Sequence, residues 1–149
     1  MLGQIERGES SPTVSKLWEI ANGFELPLTY FFGELTTNNL APKKLITEAS
    51  ITVSTLFSFD PATKSEILLL TLEPAHQHTS VPHSKGVIEH LIVIDGEMEY
   101  FLNNQWHHLK QGEFVKFKAD VEHGYRNLSD KPATFHNMIF YTGENKIKT

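Results

Sequence analysis

The pattern of apolar and polar residues changes period once along the 149-residue chain, near residue 36. Before that point the period is helical. Val14, Leu17, Trp18, Ala21 and Phe24 recur at three- and four-residue steps and make one apolar face. Ser11-Pro12 predicts the start of this helix, serine as N-cap and proline in the first turn. Asn22-Gly23 predicts its end. A shorter apolar turn, Leu28 to Phe32, follows Pro27. Ahead of both, Leu2 to Gly8 reads as the end of an earlier helix stopped by Gly8, which puts Met1 inside a helix with no cap before it.

Residues 36–44 form a linker, polar from Thr36 to Pro42. From there the period is that of β-structure. The predicted strands are Leu45–Glu48, Thr52–Phe59, Ser65–Glu73, Val87–Ile94, Glu97–Leu102, Trp106–Lys110, Phe114–Phe117 and Ala133–Tyr141. Asp95-Gly96 is the strongest hairpin signal, because both residue types accept positive φ, and Asn103-Asn104 and Gln111-Gly112 come next. Many short strands separated by turns predict a sandwich or a small barrel.

Composition narrows the chemistry. There is no cysteine, which excludes disulfides, thiolate metal sites and thiol catalysis. Hydrophobic residues are 40% and charged residues 21%, and the sequence has neither a membrane-length apolar run nor the layout of a signal peptide, so a cytoplasmic protein is expected. The net charge of −5 argues against a surface that neutralises phosphates. All eight histidines lie between His76 and His136.

Two segments concentrate this histidine chemistry. In the first, His83 and Glu89 lie on or beside a strand that ends at Gly96. In the second, Gly112 opens a stretch that leads through another strand to His123 and Asn127. Alternate side chains of a barrel point inward, so these residues can meet. Two imidazoles and a carboxylate suit zinc, iron, manganese or nickel and leave coordination positions open. The same three groups can instead satisfy one another as a buried, salt-bridged cluster that binds a ligand directly.

Glu89, six residues, then Gly96 resembles the second half of the first cupin motif. Gly112, ten residues, His123, three residues, then Asn127 resembles the second cupin motif. The resemblance implies a double-stranded β-helix, a jelly-roll barrel, over residues 45–142, with His83, Glu89 and His123 as metal ligands. The sequence departs from the motifs at Lys85, which stands where a second histidine is usual, and at Lys118 and Asp120, which replace a proline and a glycine. Lys85 can hold an anionic effector or point to solvent. Lys85, Tyr100 and Asn127 form the expected effector-binding set.

Residues 1–35 resemble the C-terminal half of an XRE-type, lambda-repressor-like helix-turn-helix domain. The likeness rests on Ile5-Glu6-Arg7-Gly8, the helix start Ser11-Pro12-Thr13-Val14, and the short final helix after Pro27. Helix-turn-helix followed by cupin is the layout of a family of bacterial transcriptional regulators, and Pro82 to Gly96 resembles the sulfur-utilisation subgroup. The resemblance implies a mainly β protein preceded by a partial all-α domain, a regulator truncated in its DNA-reading part, and a homodimer that answers to a small-molecule effector. Gln4 and Arg7 are the residues left to reach DNA, so the chain is expected to bind operator DNA weakly or not at all. With half a helical domain absent, part of the Val14–Phe24 stripe should be exposed or buried against another chain. The alternative is a metal-dependent cupin enzyme, a dioxygenase or isomerase.

Three further expectations concern side chains outside these sets. His90 follows Glu89 and should face the opposite side of its strand. His76 and His78 form a His-X-His pair that could bind a metal but should lie solvated in a loop, and His107 and His108 should lie at the surface. Tyr100, Trp106, Phe114, Phe117 and Phe140 are expected as barrel core or pocket lining.

Overall fold

The computed structural model describes residues 12–33 and 41–143. The expected end of an earlier helix, and with it Gln4 and Arg7, lies outside those residues. So does Ser11, the expected N-cap. The described helix α1, Val14–Gly23, is capped instead by Thr13, whose hydroxyl accepts from Lys16 N at 3.2 Å. Pro12 therefore precedes the cap and is not in the first turn. A 3-10 turn, Leu28–Phe32, follows.

Ten strands come next: β1 Lys43–Thr47, β2 Ile51–Asp60, β3 Ser65–Leu72, β4 Gln77–Ser80, β5 Val87–Asp95, β6 Glu97–Leu102, β7 Gln105–Lys110, β8 Phe114–Lys118, β9 His123–Arg126 and β10 Ala133–Tyr141. They form a six-stranded sheet, β1-β2-β3-β10-β5-β8, and a four-stranded sheet, β4-β9-β6-β7. This is a mainly β barrel of two antiparallel sheets with one α-helix described ahead of it. Strict alternation of buried and half-buried residues along β3, β5 and β10 turns every second side chain inward. Leu68, Leu70, Leu72, Leu91, Val93, Phe135 and Ile139 thereby fill the core. Glu89 and Asn137 occupy inward positions in otherwise apolar rows.

Two strands escape the sequence pattern. β4 and β9 have four residues each, rich in polar side chains, and they pair with each other from Gln77↔Arg126 to Ser80↔His123. Four residues are too few to establish a period. β1 begins at Lys43, inside the stretch assigned to the linker.

The expected hairpin at Asp95-Gly96 is corrected. β5 and β6 belong to different sheets, so the chain turns a corner there rather than pairing back on itself. Only Gly96 has positive φ, +74°, and a Cβ on it would stand 2.5 Å from Pro132 O, so glycine is required by both conformation and space. The tight hairpin is the next one, where Asn103 and Asn104 both take positive φ and Leu102 pairs with Gln105.

The helical segment lies on the barrel and shares its core. Val14, Leu17, Trp18, Ala21 and Leu28 are buried, while Phe24 is 60% exposed. The stripe therefore packs against the chain's own β-domain, and among its residues only Phe24 is left open. Two carboxylates from the barrel fasten it. Glu48 accepts from Val14 N at the start of α1. Glu66 on β3, fully buried, accepts from Leu28 N at 3.0 Å, Thr29 N at 3.1 Å, Thr29 Oγ1 at 2.7 Å and Tyr141 Oη at 2.6 Å. Such a carboxylate caps the free N–H groups of a helical turn from outside the segment. Among the described residues no helix is long and apolar enough to cross a membrane.

Candidate metal and ligand site

His83, Glu89 and His123 meet inside the barrel, each almost wholly buried. His83 comes from the loop between β4 and β5. Its backbone N–H donates to Ala119 O at 2.9 Å. The loop turns at Gly86, whose φ is +88° and whose absent Cβ would stand 2.7 Å from Gly143 Cα. Thr142 Oγ1 donates to Gly86 O, and Gly86 N donates to Asp120 Oδ2 at 3.3 Å. Asp120, one of the departures from the cupin motif, thus helps hold the loop that presents His83.

Glu89 is the hub. Its Oε1 lies 2.8 Å from His83 Nε2 and 3.4 Å from His123 Nε2. Its Oε2 accepts from Tyr125 Oη and from Asn137 Nδ2, the latter at 3.2 Å. Burial alone would push the Glu89 carboxyl up, but the neighbouring His123 and His83 outweigh it and hold the group well below the usual range. Burial likewise pulls His123 down, and the charge and hydrogen bond of Glu89 outweigh it and raise it. Tyr125 is pushed well above its usual value by burial and by the Glu89 charge, so its hydroxyl keeps its proton and donates.

The tautomers follow from the partners. His123 Nδ1 lies 2.8 Å from Val121 O, and a carbonyl only accepts, so Nδ1 carries hydrogen. Its Nε2 then turns toward a carboxylate, where it needs either a proton or a cation between the two. His83 Nδ1 lies 2.6 Å from Asn22 Oδ1 on α1, which leaves Nε2 facing Glu89 in the same way. Two imidazoles with their outer nitrogens engaged and one carboxylate, all donor atoms within 4.8 Å of one another, make a donor set that fits a divalent metal.

Residues 68–140 match the Cupin domain family. The HTH-type transcriptional regulator SutR of Escherichia coli (strain K12) is 40% identical over 144 residues, which cover 95% of this chain and 79% of that protein. The chain belongs to the helix-turn-helix transcriptional regulators that carry a cupin domain. A crystal structure of an HTH_3 family transcriptional regulator from Vibrio cholerae agrees, with 40% identity, a TM-score of 0.85, and coverage of 96% of this chain and 80% of that one. The Cupin_2 domain of an XRE family transcriptional regulator from Enterobacter cloacae is 37% identical with a TM-score of 0.62, over 63% of this chain and 99% of that one.

Within this cupin regulator, Lys85, Tyr100 and Asn127 are not among the hydrogen-bond partners of the triad. Lys85 is exposed. Tyr100 is half-buried and stacks on Phe117, ring centroids 5.9 Å apart, and Phe117 in turn lies 5.7 Å from His123. Asn127, expected as an effector contact, ties its loop. It is fully buried, its Nδ2 donates to Leu72 O and Lys131 O, and its Oδ1 accepts from Ser129 N and Oγ. His90 is half-buried with its ring 4.7 Å from Phe140. Of the five aromatics, Phe117 is core and Phe114 is 76% exposed.

His76 and His78 are also corrected. His76 is buried and His78 lies on β4, with His76 Nε2 2.7 Å from His78 Nδ1 and His76 Nδ1 2.8 Å from Ser50 Oγ. Burial, then the charges of His76 and His123, lower His78 to about 4. A histidine held neutral stabilises the fold above its unfolded value of 6.5, and that contribution is lost as pH falls toward 4. His123 has the opposite sign. Its contribution is complete below 6.5 and is lost as pH rises through its raised value. NMR titration of the imidazoles should find His78 neutral at pH 5 and His123 still protonated above 6.5 in metal-free protein. Coincident titration of the two would contradict the site described.

Four side chains that touch the triad were not expected there: Trp18 and Asn22, read as helix stripe and helix stop, and Tyr125 and Asn137. Tyr125 stands two residues after His123, on the same face of β9. Asn137 is the polar member of an inward apolar row, which was the available clue.

Proposed function

We propose that the chain is the sensing part of a cytoplasmic transcriptional regulator, in which His83, Glu89 and His123 hold one divalent metal, and that it is not an enzyme. The observation that carries this is the convergence of the triad directly under a helix of the segment that resembles a DNA-binding domain. A bound zinc, iron, manganese or nickel would supply a Lewis-acidic centre for an oxygen-bearing effector. Lys85, exposed two residues after His83, is the point charge an anionic effector would meet, and Tyr100 braces Phe117 behind His123. The intact regulator would act as a homodimer on DNA. An effector can shift its geometry only through different affinity for the two states.

Sedimentation and metal titration test this together. The expected result is a dimer that takes up one metal per chain, with uptake lost in His123→Ala. A strict monomer would count against the regulator, and turnover in a substrate screen would put a cupin enzyme in its place.

A further inference from the structure

Helix α1 reaches the triad through two residues one turn apart. Asn22 Oδ1 lies 2.6 Å from His83 Nδ1. The Trp18 ring stands edge-on to the His83 imidazole, centroids 5.5 Å apart. Residues four apart share one helix face, so α1 presents both side chains together. The other end of the helix is tied to the barrel by Glu48 at Val14 N. The His83 side chain is only 4% exposed with α1 in place.

Asn22 is a costly choice for mere packing. Its Nδ2 is buried and has no hydrogen-bond partner among the described residues. Buried polar atoms are nearly always paired, so an orphaned amide marks a position where the other atom matters. That other atom is the acceptor on His83 Nδ1. It keeps the hydrogen on Nδ1 and leaves the Nε2 lone pair directed into the triad, the tautomer a metal requires.

We propose that Asn22 is a positioning residue for the metal ligand His83, so that filling the triad and docking α1 on the barrel stabilise each other. The inference rests on a divalent metal binding at His83, Glu89 and His123. A cation on Nε2 draws electron density from the ring and makes Nδ1–H a stronger donor to Asn22. The contact between α1 and the barrel tightens as the site fills. Linkage requires the reverse as well: whatever lifts α1 weakens the metal. The barrel thereby reports its occupancy to the helical segment through one hydrogen bond and one ring contact.

Zinc affinity by chelator competition, read beside hydrogen–deuterium exchange of residues 14–23, tests this on the full chain. Asn22→Leu removes the acceptor at similar volume and should weaken zinc about 10- to 100-fold, the range for lost outer partners of metal-bound histidine. Asn22→Asp keeps an acceptor and should restore binding. Trp18→Phe keeps the hydrogen bond and should retain zinc affinity. Zinc should slow exchange across α1 in the wild type and in Asn22→Asp, and leave it unchanged in Asn22→Leu. A purely structural role for Asn22 would lower metal-free thermal stability without moving zinc affinity. Equal affinity in the wild type and Asn22→Leu overturns the inference and leaves the metal site standing. So does wild-type α1 exchange that zinc does not change, a result that needs no variant to fold. Failure of the wild type to bind zinc overturns the metal site and the inference with it.

Discussion

Glu89→Gln should eliminate metal uptake while leaving a folded protein. Glu89 is the anionic donor of the triad, set between His83 and His123 on one side and Tyr125 and Asn137 on the other. Glutamine has the same shape and no charge. Its carbonyl oxygen can accept from Tyr125 and Asn137, and its NH₂ can donate to the Nε2 lone pairs of two neutral histidines. Every buried group then keeps a partner, so stability should change little. The metal loses its only charged ligand, and affinity should fall by more than the roughly 100-fold that outer partners command. The titration of His123 should move as well. Glu89 is what raises it against burial, so in the variant His123 should fall below its ordinary value. Calorimetric metal titration and NMR of the imidazole read the two effects separately. Metal affinity within tenfold of the wild type would remove Glu89 from the donor set.

The largest stability loss is expected at a residue outside the site. Glu66→Leu should lower the unfolding free energy by about 3–5 kcal/mol, because it strands several buried donors at roughly 1–3 kcal/mol each, partly relieved by local opening. Those donors are Leu28 N, Thr29 N, Thr29 Oγ1 and Tyr141 Oη. The Thr29 hydroxyl also accepts from Phe59 N at 3.0 Å, so the disturbance should spread into β2. Urea unfolding gives the free energy, and exchange at the Leu28 and Thr29 amides shows whether the 3-10 turn has come free. A loss under about 1 kcal/mol, typical of one ordinary hydrogen bond, would mean that the turn finds other acceptors.

Much of the barrel was legible because its long strands obey a period. β3, β5 and β10 alternate strictly, and the same alternation sends Glu89 inward and His90 away from it. That His83, Glu89 and His123 meet was legible through their resemblance to the cupin motifs. What could not be read depended on contacts between distant segments. Thr13 caps α1 in place of Ser11, and Glu48 comes from 34 residues away to do the same work. The corner at Gly96 uses the same residues as a hairpin, and only the partner strands tell the two apart. His76 and His78 look solvated in a polar stretch, and become enclosed because β4 pairs with a strand beyond residue 120. Part of the Val14–Phe24 stripe was expected to be exposed or buried against another chain, and Phe24 is exposed while the rest is covered. Here a barrel supplies the surface instead.

The order in which these strands leave the ribosome differs from their order in space. β10 is the last strand of the described residues, yet it lies in the middle of the six-stranded sheet, between β3 and β5. Until residues 133–141 are synthesised, β3 and β5 each present an unpaired edge to solvent, and such edges invite other chains. Asn137 and Tyr141, the outer supports of Glu89 and Glu66, arrive on that same strand. A nascent chain halted before β10 would hold all three metal donors without the framework that aims them. A chain without residues 133–141 would be a sticky half-sheet rather than a weaker sensor.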